Sequence, residues 1–276
     1  MRRTTFVSAL TLVLGVAIGI VGQQNANAQT PDSRVADLVR AGRVRLGLGL
    51  GSSPVAIKDS VTGEARGPAL DLGRALAARI GVEFVPVEYP RPGAVMEGLE
   101  AGAWDVAFLA IDPARAAVAD FSPPYMEYDL TYLVPAGSLI RTVADADQPG
   151  VRITTPRGDA SDLRLSQMLK RAKLVRVNNS AATVDLLRAG QADARGGARP
   201  NLLEVSARLP GFRVLEDRFG VILVAALVPK GHAGRLAYIS EFIEEAKASG
   251  LVQRAIERAG LRWVQVAPAG NPSVQK

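Results

Sequence analysis

Apolar and polar positions alternate with two different periods along the first part of the chain. Runs of period two, such as VRLGLGL at 44–50, indicate strands. Stretches with apolar residues three and four positions apart, such as PALDLGRALAARIG at 68–81, indicate amphipathic helices. The same patterns predict a strand over 82–89, a helix over 94–102 and a strand over 104–110. This order, βαβαβ, is typical of an α/β layer with a mostly parallel sheet.

The pattern stops at the polar stretch AGSLIRTVADADQPG and then begins again. The second set of predicted elements is the strand VRITT, the helix SDLRLSQMLKRA, the strand KLVRV, the helix AATVDLLRAG and the strand ADARG. A short echo, Leu-x-Ala-Gly-x-x-Asp, starts at Leu99 and again at Leu187. In both copies a helix ends on a glycine that can adopt left-handed angles, and an Asp opens the next strand. The echo favours two related α/β lobes, with coincidence as the alternative.

The predicted elements at the end of the chain do not repeat the pattern of either lobe. If 126–135 carries the chain out of the first lobe and the apolar strand 221–229 brings it back, the last two predicted helices pack on the first lobe. Two such crossings make a hinge. The expected organisation is lobe 1 from 29–132 and 224–267, lobe 2 from 133–223, and a flexible tail at 268–276.

The start of the chain points to export. Two arginines precede an apolar run from Phe6 to about Val21, and a small-x-small sequence ends at Ala28. The run is shorter than the roughly 20 residues that a membrane-spanning helix needs. We therefore expect residues 1–28 to be a signal peptide and the mature protein to be periplasmic. The export route, general secretory or twin-arginine, stays open.

The amino-acid composition limits the kinds of functional site that the chain can form. The chain has no cysteine and a single histidine, His232, so disulfides and thiolate metal sites are excluded and a transition metal has few ligands. A Ser-His-Asp triad is not indicated, and no GxxxxGK phosphate loop occurs. The formal charge of +6 is scattered along the chain, which does not indicate a nucleic-acid interface. We expect no cofactor, no metal and no nucleic-acid partner.

One basic residue is placed where a cation is unfavourable. In LAIDPARAAVADFSPPY, Asp112 is a good N-cap and Pro113 suits the first helical position, so Arg115 falls in the first turn of a short helix. A cation at this positive end of the helix dipole loses up to about 1 kcal/mol unless a negative group is close. Arg115 therefore either pairs with a carboxylate of the protein, such as Asp112 or Asp120, or binds an external anion.

Six segments, in this order and spacing, resemble the bacterial extracellular solute-binding proteins of family 3, which include the polar amino-acid receptors of ABC importers. They are GPALDLGRALAARIGVEFVPV, LEAGAWDVAF, DPARAAVADFSPPY, PRGDASD after VRITT, LLRAGQADA and ASGLVQRAIERAG. The resemblance covers about residues 35–262. It implies an α/β, two-lobe periplasmic-binding-protein fold of type II, with two hinge crossings and a cleft that closes on a small solute.

The resemblance assigns a role to Arg115, because the arginine of this motif clasps the carboxylate of the ligand. Two acidic residues that commonly hold the ligand's ammonium group are replaced by Gly49 and Ala198. Four further positions differ from the family pattern: Phe108 and Ala110 replace hydroxyl residues, and Ser52 and Val55 replace aromatic ones. We therefore expect simple carboxylates or dicarboxylates to bind better than α-amino acids, unless Asp112 or Asp159 holds the ammonium group.

The PRGDASD turn contributes further candidate contacts. Gly158 permits close approach, and the helix start after it offers free backbone N–H groups to an anion. Asp159 either contacts the ligand or caps its own helix, and Ser161 either donates to the ligand or faces solvent. Tyr89 is either an aromatic at the mouth of the cleft or a residue at the edge of the core.

The ADARGGARPN segment leaves two interpretations open. Arg195 and Arg199 flank a Gly-Gly pair at the presumed edge of the cleft. They are either a second contact for an anion or part of a solvated basic loop.

These features favour a non-catalytic, monomeric periplasmic protein that delivers a small anionic or amino-acid-like solute to a membrane-embedded ABC permease. The alternative is a periplasmic enzyme on the same scaffold, since a few relatives resemble dehydratases of prephenate-like acids. Its general acid would be Asp112 or Asp159. A ligand-sensing domain of a membrane receptor is disfavoured, because no transmembrane segment follows residue 262.

Overall fold

Helices and strands alternate through the part of the chain that the computed structural model describes, residues 32–50, 54–58 and 62–270. The helices are α1 (Ala36–Ala41), α2 (Pro68–Ile80), α3 (Pro92–Glu100), α4 (Pro113–Val118), α5 (Ala160–Met168), α6 (Ser180–Arg188), α7 (Arg199–Arg208), α8 (Ala233–Ala248) and α9 (Leu251–Arg258). The strands are β1 (Arg43–Gly49), β2 (Ile57–Lys58), β3 (Ala65–Arg66), β4 (Glu83–Tyr89), β5 (Val106–Ala110), β6 (Ala119–Pro135), β7 (Arg152–Pro156), β8 (Lys173–Val177), β9 (Ala194–Ala198), β10 (Phe212–Val214), β11 (Gly220–Pro229) and β12 (Val264–Val266). The predicted signal peptide, Ser52 and residues 271–276 of the predicted tail lie outside the described residues.

A mixed sheet of ten strands runs through the molecule in the order β4-β1-β5-β11-β6-β9-β7-β8, with β10 and β12 also paired to β6. At one end β1 pairs in parallel with β4 and β5, and at the other end β7 pairs in parallel with β8 and β9. We call β1, α2, β4, α3, β5 and α4 the first unit, and β7, α5, β8, α6, β9 and α7 the second unit. The antiparallel strands β11 and β6 join the two units. The predicted α/β class is confirmed.

Strand β6 includes the predicted crossing segment 126–135 but begins earlier, at Ala119. The added part contains Pro123 and Pro124, which have no N–H to donate to a neighbouring strand. The pairing with β11 shifts register on both sides of Ala225, the residue opposite Pro124. Prolines are tolerated at such irregular positions of a sheet. The predicted crossing segment is thus the regular end of this strand, and the irregular end precedes it.

Helix α2 illustrates how local sequence positions the layers. Pro68 occupies the first turn, and Gly81 ends the helix in a left-handed conformation with φ 81°. Gly73 lies so close to β1 that a Cβ added to it would be 2.6 Å from Leu46 Cδ2. The helix buries its apolar face on the sheet, and each fully buried leucine contributes about 1.5–3 kcal/mol.

Helices α8 and α9 lie on the first unit. Arg79 of α2 forms ion pairs with Glu241 and Glu245 of α8, and Arg258 of α9 pairs with Asp71 of α2. The boundaries of the two lobes stay predictions, although β6 changes partner from β11 to β9 near residue 130, close to the predicted crossing. Among the described helices, none has the length and apolar character to cross a lipid bilayer.

Candidate functional site

A small cavity lies where the amino-terminal ends of α4 and α5 face each other. Its volume is about 20 Å³, which is room for about one water molecule. It is lined by Pro92, Leu109, Ala110, Arg115, Tyr128, Leu130, Asp159, Ala160, Ser161 and Ala198. These residues come from both units and from β6, at the carboxyl ends of the parallel strands, where α/β sheets bind ligands. A cavity of this volume has no room for a larger solute in the observed arrangement.

Arg115 is held at the start of α4 as the sequence predicts. Asp112 caps the helix, its Oδ1 accepting the backbone N–H of Ala114 at 2.8 Å and that of Arg115 at 3.4 Å. The Arg115 side chain is 5% exposed; its Nη1 donates to Ala110 O at 2.9 Å and its Nη2 donates to Gly158 O at 2.8 Å. Because Ala110 lies in the first unit and Gly158 in the second, this guanidinium connects the two units.

The charge of Arg115 is not matched by an ion pair within the described residues. Its hydrogen-bond acceptors are backbone carbonyls, and Asp120, one of the predicted partners, pairs instead with Lys230. Burial lowers the pKa of Arg115, while the carboxylates of Asp112 and Asp159 act in the opposite direction. A buried cation without a bonded anion is costly, so the site favours an added negative group.

Asp159 lies on the same cavity, on the side of the second unit. It is the residue before α5 and is 6% exposed, yet its side chain makes no capping hydrogen bond. Asp162 stabilises this turn instead, since its Oδ2 accepts the N–H of Gly158 at 2.8 Å. The cavity therefore carries a guanidinium on one side and a carboxylate on the other. Of the two interpretations of Asp159, the structure does not support helix capping, and contact with a ligand stays a prediction.

Ser161 also lines the cavity, and its hydroxyl lies 2.6 Å from the hydroxyl of Thr155. Both residues are buried, so the prediction that Ser161 faces solvent is wrong. Gly158 adopts φ 75° and lies against Gly93 of α3, where an added Cβ would be 2.9 Å from Gly93 Cα. The glycine pair lets the backbones of the two units touch.

The two replaced acidic positions differ in structure. Gly49 ends β1 against α3, and a Cβ added there would be 2.5 Å from the Cα of Pro92. No acidic side chain fits at this position in the observed arrangement. Ala198 lies on the cavity, where its methyl group leaves the surface apolar.

Two other predicted contacts do not reach the cavity. Phe108 is 1% exposed and packs edge-on against Tyr125, with ring centroids 5.3 Å apart, because its position on β5 faces the core. The Tyr89 ring packs against Gly98 of α3, at the edge of the cluster around Trp104. The interpretation of Tyr89 as a core-edge residue is the one that the structure favours. Val55 is buried in the main core.

The two arginines of ADARGGARPN are both buried, so the interpretation as a solvated loop is wrong. Arg199 donates to the backbone carbonyls of Leu215, Glu216 and Asp217 and faces Asp129 at 3.4 Å, which uses its donors inside the protein. Arg195 is 1% exposed, does not line the cavity, and donates from Nη2 to Ser180 Oγ at 2.6 Å.

Sequence reasoning missed several lining residues, namely Pro92, Leu109, Tyr128, Leu130 and Ala160. The period-two alternation of β6 predicts that Tyr128 and Leu130 share a face, but alternation alone does not say what covers that face. No cluster of three or more potential metal-binding side chains occurs in the part of the chain that the structure describes.

Comparisons with known proteins agree with this geometry. The family described as bacterial extracellular solute-binding proteins, family 3, matches residues 44–261, and the chain belongs to this family. A curated relative is the ABC transporter glutamine-binding protein of Bacillus subtilis, 20% identical over 277 residues, with 98% of this chain and 100% of the relative covered.

Solved structures of similar fold include an amino-acid ABC transporter substrate-binding protein of Streptococcus pneumoniae bound to L-arginine. It has a TM-score of 0.72 and 22% identity, covering 84% of this chain and 99% of that one. A second is an ancestral amino-acid-binding protein described as a precursor of cyclohexadienyl dehydratase, with a TM-score of 0.70, 25% identity and coverage of 82% and 99%. The protein is therefore a bacterial extracellular solute-binding protein of family 3, with the type II periplasmic-binding-protein fold.

Proposed function

We propose that this protein binds a small zwitterionic solute, an amino acid or a close analogue, in the periplasm and delivers it to an ABC permease without chemical change. The observation that carries the proposal is the presence of opposite charges on one cavity, with Arg115 from the first unit and Asp159 from the second. Each charge belongs to a different unit, so a solute that satisfies both also holds the units together.

Arg115 holds the solute's carboxylate in this proposal. Its guanidinium presents donors in a fixed fork that suits a carboxylate bidentately, and the adjacent start of α4 favours negative charge. The carboxylate replaces the backbone carbonyls of Ala110 and Gly158 as the acceptor for at least one of these donors.

Asp159 holds the ammonium group. The sequence alone favours simple carboxylates, because the two acidic positions usual for an ammonium group are Gly49 and Ala198. The position of Asp159 supports the other alternative, since it supplies a carboxylate on the same cavity as Arg115. A zwitterion then brings no unpaired charge into the closed site.

The small volume of the cavity implies that the two units move apart and close again. About 20 Å³ accommodates no amino acid, so the units separate on binding and release, bending where β6 and β11 join them. Gly93 and Gly158 mark the line at which the units meet again.

A thermal-shift screen tests the proposal. Amino acids and organic acids are added at about 100 times the expected dissociation constant, where a true ligand stabilises the folded protein by about 2.7 kcal/mol. We expect at least one amino acid to raise the unfolding temperature of the wild type and not that of R115M. A screen in which only acids without an ammonium group act would contradict the proposal.

A dehydratase is the second candidate function, favoured by the likeness to the ancestral precursor protein. It needs a general acid in the cleft, and Asp159 is the carboxylic acid that lines the cavity, whereas Asp112 is engaged as a helix cap. Incubation with prephenate-like acids and detection of the dehydrated product separates the two functions. We expect no product above the rate without protein.

A further inference from the structure

A second set of polar groups lies buried in the second unit, under the first turn of α6. Thr154 of β7 and Arg195 of β9 are paired in register on neighbouring parallel strands. Both side chains are at most 1% exposed. Ser180 and Thr183 of α6 complete the set; Ser180 Oγ accepts from Arg195 Nη2 at 2.6 Å, and Thr183 Oγ1 donates to Ser180 O at 2.5 Å.

Part of the hydrogen-bonding capacity of this set is unused. Within the described part of the chain, Arg195 Nε, Arg195 Nη1 and Thr154 Oγ1 have no hydrogen-bond partner. Burial lowers the pKa of Arg195 to about 10, and the carboxylate of Asp159 is the group that acts in the opposite direction. A buried guanidinium with two unbonded nitrogens is costly, and an anionic group that accepts from both removes that cost.

This set is adjacent to the cavity through Asp159. The charge of Asp159 acts on both Arg115 and Arg195, and Arg195 lies on the same strand, β9, as Ala198, which lines the cavity. Asp112, the other carboxylate that acts on Arg115, is bonded to the start of α4 and is not among the groups that act on Arg195. When the solute's ammonium group engages Asp159, Arg195 is left without a counter-charge.

We propose that Arg195 and Thr154, with Ser180, form a second subsite for a side-chain carboxylate, so that the preferred solute is an acidic amino acid rather than its amide. This inference rests on the proposed function, because it takes the main carboxylate and the ammonium group to be held by Arg115 and Asp159. Arg195 then determines which side chain is preferred, while Arg115 binds the main carboxylate that all amino acids share.

Isothermal calorimetry on pairs of nearly equal shape tests the subsite, using L-glutamate against L-glutamine and L-aspartate against L-asparagine. For the wild type we expect the acid to bind at least about tenfold more tightly than its amide, as a charge-assisted hydrogen bond provides. R195M abolishes this preference and leaves the affinity for the amide within about threefold. T154V keeps the charge and reduces the preference in part.

Two controls accompany these variants. R235M removes another buried arginine with an unbonded Nε, far from the cavity in α8, and leaves the acid-to-amide ratio unchanged. If R195M does not fold, T154V is used to test the subsite, because replacing threonine by valine is nearly isosteric. Equal affinities for acid and amide in the wild type, or a ratio that R195M and T154V both retain, would overturn the subsite.

A titration of glutarate against its monoamide separates failure of the subsite from failure of the proposed function. If no amino acid binds but glutarate is preferred in an Arg195-dependent way, the subsite stands and amino-acid binding is rejected. If amino acids bind without preference for the acid, amino-acid binding stands and the subsite is rejected. If nothing in the series binds, both are rejected.

Discussion

The two parallel units are alike at the edge where their strands begin and different at the edge where their strands end. In the first unit Asp105, just before β5, accepts the backbone N–H of Arg45 at 2.8 Å. The same carboxylate accepts the side chain of Arg45 through Nε at 3.1 Å and Nη2 at 2.8 Å. The guanidinium also donates to the carbonyl of Gly102 at 2.8 Å.

The second unit repeats this arrangement. Asp193, just before β9, accepts the N–H of Arg152 at 2.8 Å, its Nε at 3.0 Å and its Nη2 at 2.8 Å, and Arg152 donates to Gly190 O at 2.8 Å. The glycines and aspartates are those of the Leu-x-Ala-Gly-x-x-Asp echo. The echo in the sequence is thus one structural device, an arginine clamp on the strand that opens each unit.

At the opposite edge the units carry opposite charges. The connection from β5 to α4 brings Arg115 to the cavity, and the connection from β7 to α5 brings Asp159. The residue after β9, Arg199, donates instead to backbone carbonyls of Leu215 and Glu216, which follow β10. The comparison shows that the units share the edge at which the arginine clamps lie and differ at the edge that lines the cavity, where we propose that the solute binds.

The largest expected effect is the difference between two arginine variants of the first unit, one at each edge of the sheet. R115M reduces affinity for the native solute by about 2–5 kcal/mol, because it removes the partner of a buried carboxylate, and changes stability little. R45M leaves affinity unchanged and destabilises the fold by about 3 kcal/mol, since Asp105 loses its bonded cation. Calorimetry and urea unfolding of both variants measure the two quantities. Unchanged binding by R115M would reject the assigned role.

The next test compares the two clamps. The Asp105 side chain is 12% exposed and that of Asp193 is 36% exposed, although their hydrogen bonds match. We expect D105N to lower the free energy of unfolding by about 3 kcal/mol and D193N by about 1 kcal/mol or less, as for solvated pairs. Equal losses in urea unfolding would mean that burial does not distinguish the clamps.

The same clamp predicts a pH dependence. Burial alone would raise the pKa of Asp105, but the hydrogen bonds and charge of Arg45 outweigh it, and the pKa is lowered. A carboxylate with a lowered pKa in the folded state stabilises above its unfolded pKa of about 3.9 and loses this effect as the pH falls through the lowered value.

The difference in unfolding free energy between wild type and D105N is therefore constant from about pH 8 to pH 5 and shrinks below about pH 4. Urea unfolding at several pH values measures it. A difference that disappears near neutral pH would show that Asp105 is not held in the ionised form.

A smaller effect is expected from the glycine contact between the units. G158A and G190A both place alanine at positive φ, 75° and 62°, so both cost about 1 kcal/mol of stability. Only the Cβ at position 158 meets the other unit, at 2.9 Å from Gly93 Cα, whereas position 190 has open space. We expect G158A to weaken solute binding by about tenfold, or roughly 1.4 kcal/mol, and G190A to leave it unchanged. Equal affinities would argue against closure along this line.

Local rules in the sequence predict much of this molecule. The Asp112-Pro113 start of α4 and the position of Arg115 in its first turn follow from capping preferences. The echo predicts the paired units, because the geometry of a helix end and the next strand is set within a few residues. These features depend on neighbours in the chain and on little else.

The cavity itself depends on contacts that sequence patterns do not encode. Phe108 and Ala110 share a face of β5, yet Phe108 packs into the core and Ala110 lines the cavity, because Ala110 is the last residue of the strand and Phe108 lies two residues deeper. Arg195 and Arg199 are near neighbours, but β9 ends between them, and the covering helices direct the two guanidinium groups to different partners. Such outcomes are decided by tertiary packing.

The most direct test of the central claim is a calorimetric comparison of each amino acid that binds with its 2-oxo acid, on wild type and on D159N. The 2-oxo acid keeps the carboxylate for Arg115 and lacks the ammonium group. The account predicts that the wild type prefers the amino acid and that D159N loses this preference by about tenfold or more, as for a truncated buried charge pair. A wild type that prefers the 2-oxo acid, or a D159N protein that keeps the wild-type preference, would contradict the assignment of opposite charges to the two units.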